Sequence, residues 1–402
     1  MVIRAYHQQK NFELKFRGLL HDNIKANITY RMCSRFFGFY VDYIYNISAI
    51  CSLLIIAALK DTNPGLFGLS LSFILSVAGV LQIGLRQAVQ TNVLMASVKR
   101  VQEYCHIPSE APLELPEDKN PNWPQNGKIT FSDVYMKYRE NTDHIVKGLT
   151  FEARPGEKIG CIGRTGAGKS SIIQILFRMV EIDRVGKDEA LSYLKIDDVD
   201  TKSLGLHLLR NNISIIPQTP FVFTGTVRNN LDPLNKHTDE ELWAVLEDVG
   251  LRNFVRKFDK KLYADMTNAA SLFSAGQKQL ICLARAILKK SKIIVLDEAT
   301  ANVDIETDNF IQKKIADNFA DCTVFTIAHR LSTIADYDKI LVLDKGQKVE
   351  FDAPYKLLVK ELGDDKITNT DGHFASMVLQ TGAKASKQIY EKAKRSYLNK
   401  YC

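Results

Sequence analysis

Apolar residues are distributed unevenly along this chain. Phe37-Gly38-Phe39-Tyr40 opens a run that continues to Leu59, with Asp42 as its only charged residue. After the turn Lys60-Asp61-Thr62-Asn63-Pro64-Gly65, a second run extends from Leu66 to Leu85 and stops at Arg86. Each run matches the roughly 20 residues a helix needs to cross a bilayer core. The tight turn makes them a helical hairpin with both ends on one side of a membrane. Arg4, Lys10, Lys15, Arg17, Lys25, Arg31 and Arg35 precede the first run, and Arg86, Lys99 and Arg100 follow the second. That bias predicts cytoplasmic ends. A pair of helices buried in a soluble core is the alternative, and run length argues against it. Asp42, near the inner boundary, fits a transport path or a solvated interfacial position equally.

The pattern then changes. Pro108, Pro112, Pro116, Pro121 and Pro124 interrupt residues 106–127, which reads as an extended connector and a domain boundary. From Lys128, Ile129-Thr130-Phe131-Ser132-Asp133-Val134 alternates as a strand does, and Tyr138 follows. Ile159-Gly160-Cys161-Ile162, Ile293-Ile294-Val295-Leu296 and Thr323-Val324-Phe325-Thr326-Ile327 predict strands covered on both faces. Helices are expected over Ser171–Phe177 and Lys278–Leu288. The soluble part is therefore α/β with an antiparallel section. At the end, Ala383–Cys402 is basic, with Lys384, Lys387, Lys392, Lys394, Arg395 and Lys400. Tyr390, Ala393, Tyr397 and Tyr401 share one helical face there, fitting a packed or solvated helix or a contact with lipid or a partner.

Composition narrows this little. A chain of 402 residues has room for two or three domains. A net charge of +7, spread along the chain, suits acidic lipid heads or nucleotide better than a nucleic-acid surface. The 7 cysteines show no C-x-x-C spacing, which excludes a zinc pattern and a disulfide framework and points to a reducing cytosol. Met1 leads directly into polar sequence, so no cleavable signal is expected.

The chemistry centres on Gly163-Arg164-Thr165-Gly166-Ala167-Gly168-Lys169-Ser170, which fits G-x-x-x-x-G-K-[ST] between a strand and a helix. Its glycines let the backbone curl into an anion cradle, and the helix behind adds its positive end. Lys169 would reach the β- and γ-phosphates, and the Ser170 hydroxyl would ligate magnesium. Asp297-Glu298 ends a buried strand, where Asp297 could hold that magnesium and Glu298 could polarise the attacking water. Taken alone, such a pair would read as a solvated loop. His329 closes another strand at the same edge, placed for the γ-phosphate, although a lone histidine there is usually a surface or capping group. Phe273-Ser274-Ala275-Gly276-Gln277 precedes a helix and reads as a second anion-binding end, or as a plain N-cap at Ser274.

In this order the residues resemble the nucleotide-binding domain of ATP-binding cassette (ABC) transporters. Tyr138 is followed by the Walker A motif Gly163–Ser170 and Ser171, then the Q-loop Ile216-Pro217-Gln218 and the signature Phe273–Gln277. The Walker B Asp297-Glu298, the D-loop Ala301-Asn302-Val303-Asp304 and His329 complete the set, over residues 128–360. Ala328-His329-Arg330-Leu331, Ile3-Arg4-Ala5-Tyr6 and Pro108-Ser109-Glu110-Ala111-Pro112 are similar to the second cassette of the C subfamily, the multidrug-resistance-associated proteins, and its approach. The resemblance implies a P-loop ABC ATPase domain over 128–382, preceded by part of a transmembrane domain over 1–105, with 383–402 as a tail. It implies ATP and magnesium as cofactors and ATP-driven export. Tyr138 would stack on adenine, while Gln218 would link magnesium and the γ-phosphate to the membrane domain. Glu298 would be the base and His329 the γ-phosphate contact. Such cassettes close head to tail, so a second cassette and further spans are the implied partners, with lipid but no nucleic acid. The first difference from the family pattern is Ala275, in the signature's usual glycine position, as suits the weaker of the two ATP sites. Ile196-Asp197-Asp198 replaces an Ile-Asp-Gly turn, and Ala269-Ala270-Ser271 replaces a glycine-containing approach. Two spans fall short of an exporter core, which implies a piece of a longer transporter. An ATP-gated channel or regulatory subunit shares the same cassette, and a soluble chromosome-maintenance ATPase is opposed by the two apolar runs.

Overall fold

The computed structural model describes residues 2–58, 64–116, 118, 122–183, 192–266, 273–299, 303–328, 330–361 and 366–401. The chain forms two units, Met1–Ser109 and Glu110–Cys402.

The first unit holds α1 (Val2–Ala5), α2 (Gln9–Ala58) and α3 (Pro64–Cys105). The expected apolar runs are stretches inside much longer helices. With 50 residues, α2 is about 75 Å long at 1.5 Å per residue, more than twice a hydrocarbon core. Pro64, expected in the turn, is instead the first residue of α3, where its missing N–H has no intrahelical role. Among the described residues, α2 is long and apolar enough to cross a membrane, with a mean hydropathy of 1.7. In α3 the described apolar stretch is Pro64–Ile74. Asp42 lies exposed on α2, as do Phe36, Phe39, Ile44 and Leu54. No residue of α2 is buried. Apolar side chains in that number need lipid or further helices as solvent.

The second unit begins with β1 (Ile129–Met136), β2 (Val146–Ala153), β3 (Lys158–Gly163), α4 (Lys169–Leu176), β4 (Tyr193–Ile196), β5 (Val199–Asp200), α5 (Leu206–Asn212) and β6 (Ile213–Ile216). Next come α6 (Val227–Leu231), α7 (Asp239–Asp248), α8 (Arg252–Arg256) and α9 (Ala275–Lys289). The chain then continues through β7 (Ile293–Asp297), α10 (Ile305–Asn318), β8 (Thr323–Ile327), β9 (Lys339–Asp344) and β10 (Gln347–Asp352). It ends with α11 (Pro354–Leu358), α12 (His373–Leu379) and α13 (Ala383–Tyr401).

One sheet is antiparallel, in the order β2-β1-β4-β5. The other runs β10-β9-β3-β8-β7-β6 and is parallel except for its β10 edge. Alternation along the parallel strands sorts their side chains between cores. Ile293 and Val295 of β7 join Phe325 and Ile327 of β8 against Phe131 and Phe151 of the antiparallel sheet. Ile294, Leu296 and Val324 point the other way, onto the α9 and α10 side chains Leu283 and Ile311. On β9, Ile340 and Val342 face a third core containing Tyr355, Phe374 and Tyr390. Each fully buried aliphatic or aromatic side chain contributes about 1.5–3 kcal/mol, so both faces of the strands hold the sheet in place.

The basic tail is helix α13. Ile389, Tyr390 and Ala393 are buried in that third core, and Tyr397 packs on Tyr355. The proline-rich stretch is partly docked as well. Leu206 and His207 donate backbone N–H groups to Pro112 and Leu113, Asp118 accepts from the Gly205 N–H, and Trp123 is buried with Nε1 on Ile196 O. A side chain at Gly205 would meet the Leu113 carbonyl at 2.7 Å, so a glycine there admits the strap. Asp197 and Asp198 form the β4–β5 turn with φ of 48° and 63°, left-handed values that aspartate tolerates. Asp197 earns its place by accepting from the Asn126 and Lys128 N–H groups.

Candidate functional site

The carboxyl ends of β3, β8 and β7 lie side by side in the parallel sheet, and the expected site residues gather there. Crevices at strand carboxyl ends are where such sheets bind ligands. After β3 the chain curls through Gly163–Gly168 into α4. A Cβ on Gly163 would fall 2.4 Å from the Leu343 carbonyl, so the loop can lie this close to β9 only with glycine there. Gly168 caps α4 with φ 96°, and no side chain bonds the first helical N–H groups. Lys169 is buried inside the curl and donates from Nζ to the carbonyls of Gly163 (2.8 Å) and Arg164 (3.2 Å). Arg164, Thr165, Gly166 and Ser170 are exposed, whereas Ala167 and Ser171 are buried. Tyr138 is half exposed beside this helix start, its hydroxyl 3.1 Å from Ser171 Oγ.

β7 delivers the acidic pair. Burial and the neighbouring Glu298 charge push the Asp297 carboxyl above its usual range, and Lys169 opposes that shift. Glu298 sits in left-handed backbone, φ 46°, with its N–H on Ile327 O of β8. A non-glycine residue in that region is strained, and such strain gathers at functional sites. Gln218 reaches across from the end of β6 and donates Nε2 to Glu298 Oε2 at 2.7 Å. A cavity of about 290 Å³ is lined by Gln218, Glu298 and Arg330. His329 and the D-loop residues Ala301 and Asn302 lie outside the described residues, as does the 269–271 approach.

The signature begins a helix instead of preceding one. Ser274 is the N-cap of α9, and Ala275, Gly276 and Gln277 form its first turn. Ser274 Oγ accepts from the Gln277 N–H, and Gln277 Oε1 accepts from the Ser274 N–H, a reciprocal capping box. Phe273 departs from its expected role beside nucleotide. Its ring is buried against Phe254 and Phe258, so it anchors the loop and offers no surface to a ligand. Gly276 packs under Thr307 and Val303, and Gln279 Nε2 donates to Pro217 O, tying α9 to the Q-loop. Sequence reading passed over Asp308. Its signal was an acid on the same α10 face as Ile311 and Ile315.

A P-loop on a parallel sheet, an acidic strand end and a capped signature helix together define an ABC-type ATPase domain. Comparisons with known proteins agree: residues 146–301 match the ABC transporter family. The chain is 42% identical over 406 residues to mouse ATP-binding cassette sub-family C member 4, covering 99% of this chain and 29% of that protein. It is 42% identical over 401 residues to ABC transporter C family member 12 of Dictyostelium discoideum, with the same coverage of 99% and 29%. It is 40% identical over 400 residues to the probable multidrug resistance-associated protein lethal(2)03659 of Drosophila melanogaster, covering 98% and 28%. A bacterial Atm1-family ABC exporter with ATP bound shares the fold, with a TM-score of 0.74, 23% identity, and coverage of 95% of this chain and 65% of that one. The chain belongs to the ABC transporters, alongside members of the C subfamily. It spans less than a third of the length of the curated relatives it matches.

Proposed function

We propose that this chain binds Mg-ATP and, paired with a second cassette, hydrolyses it to drive export of a substrate across a membrane. The observation that carries this reading is the convergence of the P-loop with Asp297, Glu298 and Gln218 at one sheet edge. The loop N–H groups from Gly163 to Ser171 and the Lys169 ammonium hold the phosphates, and Tyr138 supplies the flat surface for adenine. Ser170, Asp297 and Gln218 suit magnesium, which takes one or two protein oxygens beside phosphate. Crowded negative charge raises the Asp297 carboxyl, and that electrostatic setting favours a divalent cation. When bound, the metal neutralises charge on the transferring phosphate. Glu298, held by the Gln218 amide in its acceptor form, orients and deprotonates the attacking water. His329 contacts the γ-phosphate. Ser274, Ala275, Gly276 and Gln277 face a nucleotide held by the partner cassette.

In this reading α2 and α3 are spans of a multi-pass membrane protein, with lipid around them and the cassette in the cytoplasm. The remaining spans and the other cassette come from the same precursor or a separate chain. ATP binding to the purified chain tests the site directly. Unchanged affinity in both Lys169→Ala and Tyr138→Ala would remove the basis for it. The partner requirement has its own test. The chain reconstituted alone in liposomes should show no ATP-dependent uptake, because two spans cannot enclose a path. Robust uptake would overturn it.

A further inference from the structure

We propose that Asp308 and Arg330 form a positioning clamp for the γ-phosphate end of the site, fixing the segment that carries residue 329. The proposal rests on the reading that His329 contacts the γ-phosphate. Arg330 Nη1 donates to Asp308 Oδ2 at 2.6 Å. The two residues lie on separate elements, α10 and the loop after β8. Asp308 is 7% exposed, on the face of α10 where Ile311 and Ile315 enter the core. An apolar residue would serve packing better there, since buried ion pairs seldom outperform hydrophobic replacements in stability. The carboxylate also bears an unmet demand. Its Oδ1 is buried with no hydrogen-bond partner among the described residues. Stability therefore does not account for this pair, which is costly to bury and incompletely satisfied.

Its location gives the reason. Arg330 lines the cavity that Gln218 and Glu298 share, and both Asp308 and Arg330 line a larger one, about 1130 Å³, that includes Gly163 and Lys169. On the other side of residue 329, the Ala328 N–H is bonded to Cys161 O, two residues before the P-loop begins. One neighbour of residue 329 is thus pinned to β3 through its backbone, and the other is pinned to α10 through its side chain. The Thr333 N–H on Arg330 O closes the turn behind them. The other charged groups of this face are paired separately, Lys392 with Asp336 and Lys400 with Asp338, so Asp308 is the anion available to Arg330 among the described residues. Asp308 touches neither nucleotide nor water in this account. It acts through Arg330.

The consequence is specific to the third phosphate. ADP binding uses the P-loop and Tyr138 and should be indifferent to the clamp, whereas ATP binding should weaken without it. The test measures ATP and ADP affinities of the full chain for Asp308→Asn, Arg330→Gln, their combination, Arg330→Lys and His329→Ala. Asp308→Asn and Arg330→Gln should each lower the ATP:ADP affinity ratio about tenfold, the scale of one charge-assisted hydrogen bond. The double variant should be no worse than either single one, because the residues act as a unit. Arg330→Lys, which keeps the charge but loses the fork, should fall between. The proposal is overturned if His329→Ala lowers the ratio while the clamp variants keep it. It is equally overturned if the clamp variants weaken ATP and ADP alike, the mark of a merely structural pair. A ratio unmoved by His329→Ala would instead refute the γ-phosphate reading, and the clamp would fall with it.

Discussion

At the start of α4 the N-cap is Gly168, which has no side chain to bond the first N–H groups. At the start of α9 the N-cap is Ser274, whose hydroxyl and backbone exchange hydrogen bonds with Gln277. Both helix starts satisfy the same rule, that the first four N–H groups need partners from outside the helix. They satisfy it differently. α4 leaves its donors to whatever anion enters the loop, so its positive end is usable at once. α9 meets part of its need from its own first turn, leaving the exposed Ser274 and Ala275 as a preformed rim. The first end is built to hold a phosphate within this chain, and the second to be presented to one held elsewhere. Their surroundings match this difference. Lys169 and Asp297 influence each other electrostatically beside α4, whereas α9 is braced by Phe273 in an aromatic cluster.

The largest effect that would break this contrast concerns hydrolysis on the α4 side. Glu298→Gln keeps the shape but removes the base, so phosphate release in the assembled transporter should fall by 10² or more, roughly the contribution of general base catalysis. ATP binding should persist, and near-normal phosphate release would show that another group is the base. Next in size, Lys169→Ala should weaken ATP binding about ten- to hundredfold, from the loss of charge-assisted bonds to phosphate. Tyr138→Ala should cost about 1–3 kcal/mol of nucleotide affinity, as base stacking does. Smallest, Ser274→Ala should lower folding stability by about 1 kcal/mol through its lost cap, read as a shift in thermal midpoint. It should leave ATP binding to this chain unchanged.

Much of this contrast was legible in sequence, because it rests on local rules. The glycine spacing before Lys169 and the apolar strand before it define the P-loop wherever it falls in space. Ser274 with Gln277 three residues on carries the capping box in its letters. Lys278 was nevertheless expected to begin α9, since Ala275, Gly276 and Gln277 give no apolar periodicity to extend the helix backwards. The pairing of Asp308 with Arg330 was beyond reach for a different reason. It depends on α10 and the β8 loop meeting across the sheet edge, which no local pattern encodes. The docking of Pro112 and Leu113 on α5 was hidden likewise, because a proline-rich stretch reads as a connector until Gly205 is seen to admit it. The length of α2 escaped because its outer half lacks the apolar run that marked the span.

The contrast between the two helix ends is tested most directly by equilibrium Mg-ATP binding to the full chain, comparing Lys169→Ala with Ser274→Ala under identical conditions. The account predicts a large loss of affinity for Lys169→Ala and wild-type affinity for Ser274→Ala. Equal losses in the two variants would contradict it, because the α9 end would then be holding nucleotide within the same chain.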